Sequence, residues 1–159
     1  MDDDFADFFA SNFSAVRRAL AVAVGDVDAA EEAAQEAFIR ACLRWRRVRQ
    51  MERPVAWVYV TAVNRLRDEF RRSQRPLPVS TRLGDAEARS DETDRLLTAL
   101  DLRAALNTLA PRQRLAIVLR YLADLSNDDV ARAMQCSVGT VKSTINAALA
   151  HLRVDEGGS

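Results

Sequence analysis

Apolar side chains recur every three to four residues through most of the chain, and no stretch alternates apolar with polar residues as a β-strand does. The first such period predicts a helix over residues 4–24, whose apolar side consists of Phe5, Phe9, Phe13, Val16 and Leu20. Gly25 ends this helix, and Asp28 is expected to cap a second helix that reaches residue 46. The pattern therefore predicts an all-α fold.

A third helix is expected from Pro54 to residue 72, because the fixed φ of proline suits a first helical position. Residues 73–94 contain two prolines, one glycine and many small polar residues without an apolar period, which is typical of a linker. Four more helices are expected near residues 95–108, 111–123, 126–134 and 137–152, with Ser126 and Ser137 as N-caps and Asp129 in a capping box.

This pattern predicts two small helical domains joined by a flexible linker. The first domain spans residues 1–72 and the second spans residues 95–153, with a disordered tail over residues 154–159. Two cysteines and one histidine exclude an ordinary zinc site, so neither a metal nor another cofactor is expected. The acidic start MDDDFADFF is unlike a signal peptide, and no apolar run approaches the roughly 20 residues that span a bilayer. A cytoplasmic protein without a membrane span is therefore expected.

Charge is distributed unevenly, although Lys and Arg balance Asp and Glu at 23 each. Residues 40–75 hold 11 arginines against three acidic residues, which gives this segment a net charge of +8. Arginine pairs with phosphates through two hydrogen bonds and stacks on bases, so the segment can bind a nucleic acid locally. A solvated helix face rich in arginine explains the same charge equally well.

The second predicted helix has two unlike faces. One is expected to supply the core residues Ala30, Ala34, Ala37, Phe38, Ala41 and Trp45. The other carries Glu32, Gln35 and Glu36, followed by Ile39 and Leu43. Exposed aliphatic residues beside carboxylates suit a protein partner that has a basic rim and an apolar groove. Alternatively, the first helix or another element covers Ile39 and Leu43.

The helix that begins at Pro54 has a tryptophan on its polar face. Its core side is expected to consist of Val55, Tyr59, Ala62, Val63, Leu66 and Phe70. The opposite side carries Trp57, Thr61, Asn64, Asp68, Arg71 and Arg72, and residues 44–53 add arginines in an expected loop. A tryptophan among amide and guanidinium groups suits stacking on an unpaired base. Trp57 can equally shield a neighbouring helix.

The last two predicted helices have the lengths and the tight turn of a helix-turn-helix. Their facing sides are apolar: Leu125, Val130, Ala131 and Met134 against Val138, Val141, Ile145 and Leu149. The outward face of the final helix carries Gly139, Thr140, Ser143, Asn146 and Ala147, with Lys142 and Thr144 on its flanks. Small polar groups there permit close approach to a DNA groove. The alternative is a plain helical hairpin that packs against another protein.

Taken together, three segments resemble an extracytoplasmic-function (group 4) σ factor of bacterial RNA polymerase, in the σ70 family. GDVDAAEEAAQEAFIRACLRW resembles the family's polymerase-binding helix, and RPVAWVYVTAVNRLRDEFRR resembles its −10 recognition helix. LAPRQRLAIVLRYLADLSNDDVARAMQCSVGTVKSTINAALAHLR resembles its C-terminal −35 domain. The resemblance implies a promoter-specificity subunit of two helical domains that performs no bond chemistry and is therefore not an enzyme.

The resemblance also implies the partners and their contact residues. The first domain would dock on the β′ clamp helices of core RNA polymerase through Glu32, Gln35, Glu36, Ile39 and Leu43, and the second domain would dock on the β flap. An anti-σ factor is a further partner that the family implies. The −10 promoter DNA would contact Arg47, Arg49, Arg53, Trp57, Thr61, Asn64, Arg71 and Arg72. The −35 DNA would contact Thr140, Lys142, Ser143, Thr144, Asn146 and Ala147.

The chain departs from the family pattern mainly in its last domain. Thr144, Asn146 and Ala147 stand where basic residues are usual, and Gln135 stands where a glycine is usual at the end of the preceding helix. Each lost phosphate contact lowers the affinity for DNA, so weak or altered −35 recognition is one expectation.

Two other functions compete with this interpretation. A σ-like interaction protein would bind polymerase or an anti-σ partner without reading a promoter, and the poorly basic final helix motivates it. An autonomous dimeric helix-turn-helix repressor would leave the partner face of the second helix and the Trp57 face unexplained.

Overall fold

The structure is a computed structural model that describes residues 2–73 and 101–157, with side chains up to residue 153. The described residues form helices and no strands: α1 Asp3–Val24, α2 Val27–Leu43, α3 Trp45–Val48, α4 Pro54–Ser73, α5 over residues 101–107, α6 Pro111–Ile117, α7 Asn127–Met134 and α8 Val138–Gly157. A π-helical turn, Val118–Leu122, continues α6. The predicted all-α fold with two helical domains is confirmed. Apart from Ser73, which belongs to α4, the predicted linker lies outside the described residues.

The first domain is built on α2, which contacts both α1 and α4. Phe38 of α2 lies in a cluster of aromatic rings with Phe8 of α1, 5.6 Å away between ring centroids. Trp45 closes the cluster from α3, with its ring centroid 4.9 Å from that of Phe8. Aromatic pairs at these separations add to the stability that burial itself gives. The cluster therefore fixes the angle between α1 and the α2–α3 corner.

Two predicted boundaries of the second helix are wrong. Asp26, not Asp28, is the N-cap, because its backbone is extended and its carboxylate accepts a hydrogen bond of 3.0 Å from the N–H of Ala29. The helix ends at Leu43 rather than residue 46, since Arg44 leaves the helical conformation. Trp45 then begins α3 and packs into the core. Residues 44–53 therefore do not form only a loop, because Trp45–Val48 within them form a helical turn.

The second domain departs from the predicted pattern at two places. The expected helix over residues 111–123 changes at Val118 into a π turn, in which the N–H of Ala123 donates to the carbonyl of Val118. The helix α8 continues to Gly157, so the predicted disordered tail is wrong for residues 154–157. No proline or glycine precedes Gly157 in that stretch, and nothing local ends the helix earlier. None of the described helices is long and apolar enough to cross a membrane.

The buried phenol of Tyr59 in α4 makes the stability of the first domain depend on pH in the alkaline range. Burial raises the pKa of its phenol to about 12, from the ordinary 10.0, although Arg53 acts in the opposite direction. The unfolded chain releases this proton near pH 10, whereas the folded chain still holds it, so rising pH favours unfolding in this window. We expect the free energy of unfolding to fall above about pH 10, and Tyr59→Phe to flatten that fall in urea titrations.

The control is Tyr121→Phe, which removes an exposed phenol and should keep the wild-type dependence on pH. If Tyr59→Phe showed the same fall as the wild-type chain, the buried phenol would not be its source.

Candidate functional site

An apolar groove runs along the outer side of α1 and α2. Ile39 and Leu43 are 60 % and 80 % exposed, so the alternative in which another described element covers them is wrong. Phe9 of α1 is 40 % exposed beside them, although the sequence pattern assigned it to the core side. The groove has a volume of about 370 Å³ and is lined by Phe5, Phe9, Gln35, Phe38, Ile39, Cys42 and Leu43. An apolar groove of this kind on a small domain is typical of a protein-binding surface.

Glu36 does not point outward with its predicted neighbours. Its half-buried carboxylate forms ion pairs with Arg65 of α4 and, at 3.1 Å, with Arg40 of α2. Glu32 and Gln35 are exposed, as the sequence predicted. Glu36 therefore ties α2 to α4 and forms the border between the apolar groove and a polar cleft on the other side of α2.

This polar cleft, between α2 and α4, brings together half of the residues predicted to contact −10 DNA. Its volume is about 370 Å³, and its lining includes Trp57, Thr61, Asn64 and Arg72. It also includes three arginines that the sequence analysis missed: Arg40, Arg44 and Arg65. Arg40 lies in α2, Arg44 directly follows α2, and Arg65 lies in α4, so their meeting at the cleft depends on helix packing and gives no periodic signal in the sequence. The combination of an indole, an amide and several guanidinium groups suits a single-stranded nucleic acid.

Trp57 is half-buried, not freely exposed as its place on the polar face suggested. One side of it lines the polar cleft, and it also lines a second cleft toward α7. The hydroxyl of Thr61 donates to the carbonyl of Trp57 at 2.8 Å, which leaves its oxygen as an acceptor. The side of Trp57 that lines the polar cleft is thus available to a base. The Thr61 side chain beside it is held in place by its hydrogen bond to the Trp57 carbonyl.

The remaining predicted −10 residues lie outside the polar cleft. Arg49 pairs with Asp4 at 3.2 Å, and Arg71 lies 3.9 Å from Asp68. Arg47 is exposed on α3. Arg53 donates hydrogen bonds to the carbonyl of Asp124 and, at 3.5 Å, to that of Ala123, both in the second domain.

The turn between α7 and α8 has the caps that the sequence predicted, with one difference. The hydroxyl of Ser126 accepts from the N–H of Asp129 at 3.1 Å, and that of Ser137 accepts from the N–H of Thr140 at 3.0 Å. The Asp129 carboxylate pairs with Arg132 at 2.8 Å, so the capping box is only half formed. Gln135 has a left-handed backbone with φ 53°, the conformation for which a glycine is usual.

The outward face of α8 agrees with the predicted one at most positions. Exposed residues on it are Thr140, Lys142, Ser143, Asn146 and Ala147, whereas Thr144 is half-buried. The hydroxyl of Ser143 donates to the carbonyl of Thr140 at 3.1 Å, and the hydroxyl of Thr140 hydrogen-bonds to that of Ser137. Local bonds thus occupy these two hydroxyls in part, and Asn146 presents the amide that can meet a base edge.

Comparison with known proteins shows which family this chain matches. Residues 8–76 match Sigma-70 region 2, and residues 99–152 match Sigma-70, region 4. The chain is 32 % identical over 151 residues to the RNA polymerase sigma-E factor of Streptomyces avermitilis, covering 94 % of this chain and 83 % of the relative. It is 31 % identical over 134 residues to the ECF RNA polymerase sigma factor SigL of Mycobacterium tuberculosis, covering 82 % and 76 %.

A similar fold occurs in the sigma factor RpoE of Bartonella quintana, solved in complex with the anti-sigma factor NepR. The TM-score is 0.68 at 24 % sequence identity, and the match covers 96 % of each chain. At this identity the likeness concerns the fold, and it extends over both described domains.

The left-handed Gln135 makes a testable difference to the stability of the helix-turn-helix. A left-handed backbone costs a residue with a side chain about 1–2 kcal/mol, and a glycine gives back about 0.4–1 kcal/mol through its freedom in the unfolded chain. We expect Gln135→Gly to raise the free energy of unfolding by about 0.5–1 kcal/mol in urea denaturation. Gln135→Ala keeps the Cβ atom and should bring no such gain. An equal gain from both variants would contradict this explanation.

Proposed function

The chain belongs to the σ70 family as an extracytoplasmic-function σ factor, a promoter-specificity subunit of RNA polymerase, and we propose which of its surfaces perform that role. The apolar groove of α1 and α2 binds core polymerase, the polar cleft beside Trp57 captures the −10 strand, and α8 reads the −35 element. The observation that carries this assignment is the polar cleft, where an indole, an amide and four arginines meet. The σ factor contributes binding energy and no bond chemistry.

The polymerase contact is assigned to the groove because Ile39 and Leu43 are large aliphatic side chains that no described element of the chain covers. Burying one such side chain against a partner stabilises a complex by about 1.5–3 kcal/mol. Gln35 lines the groove and Glu32 is exposed one turn before it on α2, which suits a partner helix with a basic rim, as proposed for the β′ clamp helices. Phe9 extends the same surface onto α1, which adds it to the residues predicted from the sequence.

The −10 contact is assigned to the polar cleft on chemical grounds. Trp57 offers a surface on which an unpaired base can stack, and Asn64 offers an amide for its edge. Arg40, Arg44 and Arg72 lie around them and can neutralise the phosphates of one strand. A base can enter such a cleft only after it leaves the stacked duplex, so the cleft favours the melted promoter over double-stranded DNA.

The −35 contact is assigned to α8 with Lys142 on a phosphate and Asn146 on a base edge. An asparagine can pair with adenine through two hydrogen bonds, which discriminates against other bases. A single lysine would give a free repressor little affinity, but the domain is tethered to a polymerase that already holds the DNA. The second domain is proposed to be held there by the β flap.

We also propose that the chain acts in the cytoplasm and that an anti-σ factor regulates it. The sigma factor RpoE of Bartonella quintana, which has a similar fold, was solved in complex with an anti-sigma factor. This supports an anti-σ factor as a partner of this chain. The alternative function, a σ-like protein that binds polymerase without reading a promoter, rests on the poorly basic face of α8.

Transcription in vitro tests the proposed function directly. Core polymerase with this chain should start transcription from the promoter upstream of its own gene, and core polymerase alone should not. Trp57→Ala is expected to lower open-complex formation by about tenfold or more, because one base–aromatic stack contributes about 1–3 kcal/mol. Binding of core polymerase without initiation from any genomic fragment would favour the alternative function.

Core binding can be tested separately with the double variant Ile39→Asp and Leu43→Asp. Both side chains are exposed, so the melting temperature should stay unchanged while the affinity for core polymerase falls at least about tenfold. Ala15→Asp is the matched control, since Ala15 is exposed on α1 outside the groove. Fluorescence anisotropy of labelled chain with core polymerase measures both. Wild-type affinity in the double variant would place the polymerase contact elsewhere.

Asn146→Ala examines base reading by α8. On a library of promoters randomised in the −35 element, the variant should lose about tenfold discrimination at one position, the size of a lost bidentate contact, and keep its selectivity elsewhere. Unchanged selectivity at every position would remove Asn146 from the base-reading residues.

A further inference from the structure

Two carboxylates lie in the polar cleft, although the cleft is proposed to bind a polyanion. Its charged lining consists of four arginines and two acidic residues: Arg40, Arg44, Arg65, Arg72, Glu36 and Asp68. A carboxylate repels the phosphates of a DNA strand, so an acidic residue at this place weakens the general attraction for DNA. Its presence in the cleft therefore needs a physical explanation.

The Glu36 carboxylate engages two of the four arginines, one with each oxygen. Arg40 donates a hydrogen bond of 3.1 Å from Nη2 to Oε1, and Nη1 of Arg65 pairs with Oε2. The side chains of Glu36 and Arg65 are each 30 % exposed, so water and salt screen this pair less than a pair on the open surface. Both guanidinium groups thus have an acceptor within the chain before any DNA arrives.

The other two arginines of the cleft are not engaged in this way. Arg44 and Arg72 are exposed and form no ion pair with the part of the chain that the structure describes. The second carboxylate, that of Asp68, lies 3.9 Å from Arg71, which does not line the cleft. The polar cleft therefore contains two kinds of cation, two that Glu36 holds and two that are available to phosphates.

The side chain of Glu36 belongs to the cleft and not to the apolar groove. Its neighbour Gln35 lines the groove, whereas Glu36 does not. The residue one turn later on α2 is Arg40, and Arg65 reaches Glu36 from α4, next to Asn64 in the sequence. The resemblance implied a polymerase contact for Glu36, but its carboxylate is committed to the opposite side of α2.

Pairing with Glu36 changes what the cleft can recognise. Contacts between arginines and phosphates give an affinity that is the same for every sequence, whereas contacts with bases distinguish sequences. A phosphate can use Arg40 or Arg65 only if it competes with the carboxylate that already holds them. Stacking on Trp57 and hydrogen bonding to Asn64 then supply a larger share of the binding free energy.

We propose that Glu36 is a specificity-determining residue of −10 capture, because it withholds Arg40 and Arg65 from DNA phosphates. The proposal rests on the proposed role of the polar cleft in −10 capture. Glu36 lowers the affinity for strands of any sequence and thereby makes binding depend on the bases. A carboxylate that only fastened α2 to α4 would have a different effect, since its loss would weaken the cleft and all DNA binding with it.

The variant Glu36→Gln tests the effect on sequence-independent affinity in the full chain. It keeps the size of the side chain and one acceptor oxygen, and it removes the charge. The DNA probe is a fluorescein-labelled pool of random single strands about 12 nucleotides long. We expect the variant to bind the pool about fivefold more tightly at low salt, with a steeper dependence on salt, because each added phosphate contact changes the logarithmic slope by about 0.7.

Selectivity is the readout that a purely structural role would not move in this direction. Holoenzyme with Glu36→Gln should initiate from a wider set of promoters randomised in the −10 element, while its affinity for core polymerase stays at the wild-type level. Glu31→Gln is the matched control, since Glu31 lies on the same helix and lines neither the groove nor the cleft. Glu36→Gln with the pool affinity and selectivity of this control would overturn the proposal, and so would a loss of pool affinity.

A second pair of variants decides the question without changing Glu36. Arg40 and Arg72 are both exposed and both line the cleft, but only Arg40 is paired with Glu36. Arg72→Gln should reduce the salt dependence of pool binding by about 0.7 in logarithmic slope, the value of one phosphate contact. Arg40→Gln should reduce it clearly less. Equal reductions would overturn the proposal, even if Glu36→Gln failed to fold as judged by circular dichroism.

Failure of the proposed function can be told apart from failure of this inference. If Trp57→Ala lowers open-complex formation but Glu36→Gln behaves as Glu31→Gln does, the proposed function stands and the role of Glu36 does not. If Trp57→Ala keeps wild-type open-complex formation, the polar cleft is not the −10 surface, and the role of Glu36 in −10 capture is overturned with it.

Discussion

The alanine face of α2 is the constraint on which both surfaces of the first domain depend. Five alanines along this face are buried: Ala30, Ala33, Ala34, Ala37 and Ala41. Such small side chains let α1 and α4 pack closely on α2. By helical periodicity Ile39 and Leu43 point away from this face and line the apolar groove. The same close approach brings Arg40 and Arg65 to the cleft that Trp57 lines, so one helix sets the geometry of both surfaces.

The features that sequence analysis predicted are those that a single amphipathic helix determines by itself. In α4, Tyr59, Ala62, Val63, Leu66 and Phe70 are buried as the period required, although Val55 is only half-buried. The face of α8 was likewise predictable, because the residues that pack α8 on α7 are near neighbours in the sequence. Periodicity failed where the period itself changes, as in the π turn, whose hydrogen bonds join residues five apart.

What the sequence could not predict depends on contacts between distant residues. Glu36 turns toward Arg65 instead of solvent, and Trp57 is half-buried by its position between two clefts. Arg53 and Arg114 bind carbonyls about 70 and 90 residues away along the chain. An arginine in a basic segment looks the same in the sequence whether its acceptor is a phosphate or the end of a helix. Only the packing of the two domains distinguishes the two.

That equivalence of acceptors limits what a basic segment says about function. A guanidinium group binds carbonyl oxygens and phosphate oxygens through the same donors. Arg53 uses its donors on the carbonyl oxygens of Ala123 and Asp124, so its place in the basic segment is explained by a contact within the chain. The face of α8 raises the opposite question, because it carries a single lysine among small polar residues. A strongly basic α8 would let the free chain bind DNA before polymerase arrives, whereas a poorly basic one would need the tether that polymerase supplies.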